Sequence, residues 1–402
     1  MAANFYLSSH ANYHLHPRSA LLAARVDDLR HATEQEIAWV EIWSGSGESS
    51  CFDIGYTSQA LVIQKLCKRL GLRQQVIATA IVYFRRFYLR NAYCDTDCAL
   101  VAAACCYVAA KAEETPVHVK SAVAEAKMVF HDMGLAFPSD NTKLAEMEFY
   151  LIEELDFHLI VFHPYRSLVQ LCGRDGGPSA GGEQGRLNRQ AMLEMDEPAL
   201  QMAWFIINDT FRSSLCLVHP PHLIALAAIY LAFSLHPPSS VVKETASTNL
   251  KDPSISGPAS RTRRRSTDVA PSAAPRAHAT TSSTVATTVP TVGGRTDAIT
   301  FLASLQVDHS LILEIVQDVI SLYELWNQLE ASAQATSPSS TGSQGGPSAA
   351  PVSRISIGGG AGRTTSVSAD EKVVIILARM MKDRHRELQS EKGGRGATGW
   401  KK

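Results

Sequence analysis

The chain lacks a surplus of charge of either sign. Its 38 Lys and Arg stand against 39 Asp and Glu, a net of −1 over 402 residues. The basic footprint expected of a nucleic-acid-binding surface is therefore missing, and no direct nucleic-acid contact is expected. No apolar run reaches about 18 residues, so no membrane span is expected. The N-terminal residues lack the apolar core of a secretory leader. No segment reads as sheet. No nucleophile elbow, zinc-protease helix or kinase signature is present. The glycine run at 358–362 has neither the preceding strand nor the following Lys-Ser/Thr of a phosphate loop. The eight cysteines, at 51, 67, 94, 98, 105, 106, 172 and 216, follow no disulfide framework. Cys94-x3-Cys98 and Cys105-Cys106 have no partnering histidines nearby, so core packing is favoured over metal. They read as reduced, small hydrophobes of an intracellular protein. No catalytic residue, metal or cofactor is expected.

What the chain does have is a repeat. The stretch Ala78–Ala109 matches Met202–Phe233 without a gap, at an offset of 124 residues. Phe87 falls on Phe211, and the alanine-rich run at 99–107 falls on 223–231. Each copy has an amphipathic helix followed by one that is apolar all round, and such a helix must be buried among others. An all-α fold of two five-helix bundles in tandem follows.

Local signals place the helices. Pro17 opens a short helix to about Arg30. Thr33-Glu-Gln-Glu36 is a capping box, and its helix runs through Ile37, Val40 and Trp43. Ser44–Ser50 interrupts it; helix resumes near Thr57, and Gly71 stops it. Ile77, Ile81, Phe84 and Tyr88 form a stripe over 73–90. Asp97 caps the next helix, to about Glu113, in which seven of the residues 98–112 are alanine. Thr115-Pro116 reads as a helix start, with helix to about Phe130. Helix five spans 142–156, and Pro164 starts a short one after it. The second bundle has helices near 187–195, 198–213 and 221–235, then 295–305 and 309–330. Residues 237–296 and 331–370 are rich in Ser, Thr, Pro, Ala and Gly and are expected to be disordered. Glu371–Leu388 is a short helix with a Val373, Ile376, Leu377, Met380, Met381 stripe. The sequon at Asn208 falls inside a helix and is read as accidental. Arg261–Arg265 is a basic run that suits nuclear import as well as chance.

Several segments resemble cyclins, and among them the cyclin C subfamily. They are Leu70–Tyr88, Val108–Glu114 with its Ala-Ala-Lys-Ala-Glu-Glu, Met147–Leu151, Leu159–Arg166, Ala203–Arg212 and Leu215–Pro221, with Asn4-Phe-Tyr and Ser8-Ser-His at the N-terminus. The chain departs from that pattern in an insert at 44–56, which either loops out or marks a misread gene, and in the long 237–296 loop and the C-terminal tail. The resemblance implies an N-terminal extension and helix at 1–32, a first cyclin box at 33–160, a second at 161–330, and a tail at 331–402.

It also implies a role without chemistry of its own: the regulatory subunit of the cyclin-dependent kinase in the Mediator kinase module, in the nucleus. Such a kinase needs its ATP-binding Lys–Glu pair and one helix held in place. By resemblance, Lys111 and Glu148 position backbone groups of that helix, with Glu113 and Glu114 ambiguous between surface charge and partner contact. An apolar platform of Phe84, Phe87, Tyr107 and Phe149 surrounds them. Trp204, Asn208 and Asp209, with Tyr6 and Tyr323, are candidates for a groove that receives another kinase-module subunit; Trp326 could join it. The competing reading keeps Trp204 in the core, with the two polar residues bridging within the box. Two other functions compete: a cyclin-fold general transcription factor or adaptor acting without a kinase, of which the former would want a zinc ribbon and a basic face, and a cysteine enzyme, for which no base is visible.

Overall fold

The computed structural model describes residues 4–44, 62–172, 193, 195–236, 298–335 and 369–396. Most of the 44–56 insert, the glycine-rich stretch after Cys172, most of the helix expected at 187–195, the 237–296 loop with its basic run, and the glycine run at 358–362 lie outside the described residues.

Among the described residues there are fifteen α-helices and no strand. In chain order they are α1 Ser9–Tyr13, α2 Arg18–Ala23, α3 Glu34–Ser44, α4 Val62–Arg69, α5 Gln74–Arg90, α6 Cys98–Ala112, α7 Val119–Asp132, α8 Asn141–Glu154, α9 Pro164–Leu171, α10 Glu197–Thr210, α11 Leu215–Val218, α12 Pro221–Leu235, α13 Ala298–Ser304, α14 His309–Ala335 and α15 Ala369–Gly396. Short 3-10 turns sit at Phe5–Leu7 and Asp28–Arg30. No described helix is long and apolar enough to cross a membrane.

The caps work as their side chains dictate. The Thr33 amide donates to Glu36 Oε2 at 3.0 Å, and the Glu36 amide donates to Thr33 Oγ1 at 3.3 Å. This reciprocal pair satisfies two orphan donors at the start of α3. Asp97 accepts from the amides of Ala99 and Leu100 to start α6. Gly71, at φ +69, ends α4 in the left-handed region where a Cβ is penalised. One start moves. Thr115-Pro116 does not open α7; His118 does, accepting the Lys120 amide. The Thr115 amide instead donates to Ala110 O at 2.9 Å, and its hydroxyl reaches the same carbonyl. Thr115 thus closes the preceding helix.

The repeat is realised in space. In the first bundle α6 runs at the centre against α4, α5, α7 and α8; in the second, α12 runs at the centre against α9, α10 and α14. Alanine at buried positions 99, 102, 103, 104, 109 and 110 lets neighbours approach α6 closely. Phe87 and Phe211, equivalent in the repeat, are both fully buried. The buried Arg85 guanidinium joins the halves, donating to Phe211 O at 2.9 and 3.1 Å and to Glu41 O at 3.0 Å. These bonds satisfy a charge that burial would otherwise penalise heavily.

The two ends of the chain are tied down. The N-terminal segment crosses the seam between the bundles. His10 Nδ1 accepts the Phe162 amide, the His14 and His158 rings are hydrogen-bonded at 3.1 Å, and the His16 amide donates to Leu217 O. At the other end α15 is 28 residues long, more than the short helix expected. Val373, Ile376, Leu377 and Met380 are buried, whereas Met381, expected in the same stripe, is 38% exposed. The helix lies against α3 and α14.

Candidate partner-binding site

Lys111 closes α6 and Glu148 lies in the middle of α8, helices that pack side by side. Lys111 Nζ donates to Glu148 Oε1 at 2.6 Å and stands 4.3 Å above the Tyr107 ring centroid. The lysine side chain is 42% exposed and the carboxylate side chain 15%. Partial burial works against the ammonium, yet its bonds to Glu148 and Tyr107 hold its pKa above the ordinary value. The pair is thus preformed, charged and open to solvent on one side. It can give one charge-assisted donor set to a carbonyl end and one acceptor to an amide end of a docked segment.

The backbone that follows the two helices is unusual. Among the described residues three non-glycines have positive φ: Glu114 at 54°, Asp156 at 51° and Phe157 at 59°. All three sit just beyond the C-terminal ends of α6 and α8, the helices that carry the pair. Left-handed backbone costs a non-glycine residue on the order of 1–3 kcal/mol, and such outliers collect at functional surfaces. After α8 the turn is closed by the Phe157 amide donating to Ile152 O, and Asp156 is paired with Arg90. It leaves Phe157 74% exposed and Ile160 68% exposed, with Phe149 at 75% on α8.

The apolar platform therefore differs from expectation. Phe149 is on the surface, and Tyr107 is half-buried under Lys111. Phe84 and Phe87 are not part of it: both are buried, Phe87 against Tyr88 and Tyr150. Every residue of α5 from Val76 to Tyr88 is buried, polar ones included, so it leaves no aromatic side chain for a surface. Phe157 and Ile160 were missed because only the turn geometry exposes them.

The two glutamates after Lys111 separate. Glu114 is exposed. Glu113 turns inward: its carboxylate accepts from Gln75 Nε2 at 2.8 Å and Thr79 Oγ1 at 2.6 Å. Thr79 Oγ1 is also 2.7 Å from His163 Nε2. Glu113 so fastens the end of α6 to α5 and to the start of the second bundle.

The second candidate set is split. Asn208 and Asp209 are buried at 2% and 0%, so neither lines a surface, and they follow the bridging alternative. Asn208 Oδ1 accepts from Tyr165 OH at 2.6 Å and from Gln74 Nε2 at 3.1 Å. Asp209 accepts from Tyr323 OH at 2.8 Å and faces Arg212 at 3.6 Å, whose guanidinium stacks 3.1 Å from the Trp326 ring centroid. Burial pushes the Asp209 carboxyl up to about 6, against the pull of Arg212 and Tyr323. Burial likewise pushes Arg212 down to about 10. Trp204 is half-buried, with its ring 4.5 Å from that of Tyr165. Tyr6 lies elsewhere on the seam, 63% exposed, with its hydroxyl 3.3 Å from His222 Nε2. Phe5 beside it packs edge-on to Phe162.

Among the described residues one group of side chains has metal-ligand chemistry: His219, Glu314 and Asp318 bring ligand atoms within 4.8 Å of one another. Arg18 already pairs with both carboxylates, at 2.8 Å from Glu314. Its guanidinium occupies both and offsets one of their two charges, and a metal would have to displace it.

Residues 59–160 match the family model described as the cyclin N-terminal domain. The RNA polymerase II holoenzyme cyclin-like subunit of Mycosarcoma maydis is 34% identical over 386 residues, covering 82% of this chain and 91% of that protein. Cyclin-C1-1 of Oryza sativa subsp. japonica is 36% identical over 233 residues, covering 58% and 77%. A chain in the cryo-EM structure of the yeast TFIIK complex aligns with a TM-score of 0.39 at 20% identity, over 61% of this chain and 91% of that one. The twice-repeated bundle, the family match over the first of its copies and the end-to-end relative lead to one conclusion: the chain belongs to the cyclin family, among the RNA polymerase II holoenzyme cyclin-like subunits.

Proposed function

We propose that this chain is the activating subunit of a cyclin-dependent protein kinase that regulates RNA polymerase II transcription in the nucleus, as part of the Mediator kinase module. The observation that carries the reading is the Lys111–Glu148 pair, preformed at 2.6 Å and partly open to solvent. A rigid pair of opposite charges suits the clamping of a mobile helix, because it engages backbone groups at both polarities. Exposed Phe149 supplies apolar area beside it, and exposed Phe157 and Ile160 add more beyond the end of α8. The interface would bury on the order of 2,000 Å², the range of lasting signalling complexes. The chain itself contributes shape and charge, and the phosphoryl transfer belongs to its partner. The first box is assigned to 33–160 and the second to 161–330. Exposed Tyr6 and half-buried Trp204 and Tyr323 are the members of the second set that remain accessible to another module subunit.

The test is reconstitution. The tagged chain is purified from its own cells, the co-purifying kinase is identified, and that kinase is assayed with and without the chain. Stoichiometric recovery and a large rise in activity support the reading. A chain that recovers no kinase, or that phosphorylates substrate unaided, refutes it.

A further inference from the structure

The C-terminal helix α15 carries an anchor pattern that the proposed kinase role does not use. Val373, Ile376, Leu377 and Met380 are spaced i, i+3, i+4 and i+7, and each is 0–4% exposed. This is the register in which an amphipathic helix fills a groove on another protein. Charges fix the direction. Asp370, before the first anchor, is 2.6 Å from Lys65 on α4. Arg379 is 2.7 Å from Glu36 on α3, and Arg384, after the last anchor, is 2.8 Å from Asp95. Lys372 stands 4.4 Å over the Trp39 ring. Opposite charges at opposite ends admit the helix in one orientation only.

The seat is closed over the four anchors and open at its edge. Beneath the N-terminal end of α15 a gap of only about 20 Å³ is lined by Ile42, Trp43, Trp326 and Leu329. Beside the same end an open cleft of about 410 Å³ is lined by Lys65, Lys68, Arg69, Val129, Asp132 and Met133. All three ion pairs keep solvent access. Residues 336–368 join the helix to the rest of the chain, so it binds as a tethered segment at high effective concentration.

We propose that α3, α4 and α14 form a helix-receiving groove, and that α15 is its resident ligand in cis. The kind of partner the groove fits is an amphipathic helix with anchors at i, i+3, i+4 and i+7, an acidic residue one turn before and basic residues after. Such a helix exchanges with α15 and exposes Trp39 and Trp43 while it does so.

The test uses the whole chain with a protease site placed within 336–368 and cut after purification, so both parts start from the intact fold. A fluorescent peptide of residues 366–396 is then added. Saturable exchange into the cut protein is expected, with the Ile376→Asp peptide at least about thirtyfold weaker. An Arg379→Glu, Arg384→Glu peptide is expected to lose binding most at low salt, where exposed charges act furthest. The proposal is overturned if α15 leaves only at the global unfolding midpoint, if the cut chain aggregates once it leaves, or if the Ile376→Asp peptide binds like the natural one.

Discussion

The Lys111–Glu148 pair separates a functional from a structural role by magnitude. Within the chain it joins a lysine side chain 42% exposed to a carboxylate side chain 15% exposed. A pair so open to solvent contributes only about 0–1 kcal/mol to folding. Against the backbone of a docked helix each charge would instead make bonds in a drier interface, worth about 1.5–3 kcal/mol apiece. Lys111→Met and Glu148→Gln are therefore expected to shift the urea midpoint little, with a stability change under about 1 kcal/mol. The concentration of chain needed for half-activation of the kinase should rise by about 10- to 150-fold. The charge swap Lys111→Glu with Glu148→Lys sharpens the test. It rebuilds the internal bridge with the polarity reversed, so folding should stay intact while activation stays lost. Activation restored by the swap would mean that the pair acts only inside the chain. Single variants that activate like the natural chain, or that unfold it, would equally refute the reasoning.

Other consequences follow from burial. Phe87→Ala should lower unfolding free energy by about 3–5 kcal/mol, whereas Phe149→Ala should change it by less than about 0.5 kcal/mol while weakening kinase capture. Asp209→Ala leaves the Arg212 charge buried without its carboxylate, and a loss of about 3–5 kcal/mol is expected in urea titration. The histidines of the seam set an acid limit. Burial, then the nearby Arg86 charge, pushes His10, His14 and His163 down to about 3 from 6.5. These rings stay neutral when folded and take up protons when unfolded. Their stabilisation is complete above pH 6.5 and falls by up to about 1.4 kcal/mol per pH unit per ring below it. Melting temperature should drop between pH 7 and pH 5, with amide exchange rising first along residues 4–16. A flat profile over that range would contradict the assignment.

The legible parts were those in which neighbours in sequence supply the whole cause. The capping box at Thr33, the Asp97 cap, the Gly71 stop and the two all-apolar helices depend on spacing within a few residues, and each stands where the pattern puts it. Lys111 and Glu148, the proposed contact pair, come from resemblance alone, since their motif lies in short matching segments. The Thr115-Pro116 start failed because the Thr115 amide and hydroxyl had a nearer use, the Ala110 carbonyl. Arg212 and Tyr165 were not singled out, because a buried polar side chain is recognisable only from the partner that satisfies it.

Helix periodicity, caps and the internal repeat were properties of the chain itself, because they arise from interactions over one or two turns. Direction was not. Neighbouring helices cover α5 on nearly every side but leave one side of α8 open, so only packing decided that Phe84 and Phe87 go inside while Phe149 stays out. Partners far apart in the chain decided that Asn208 and Asp209 are internal. The groove for α15 likewise exists only after α3, α4 and α14 have met, since its charges and its apolar floor come from segments up to about 300 residues away in sequence.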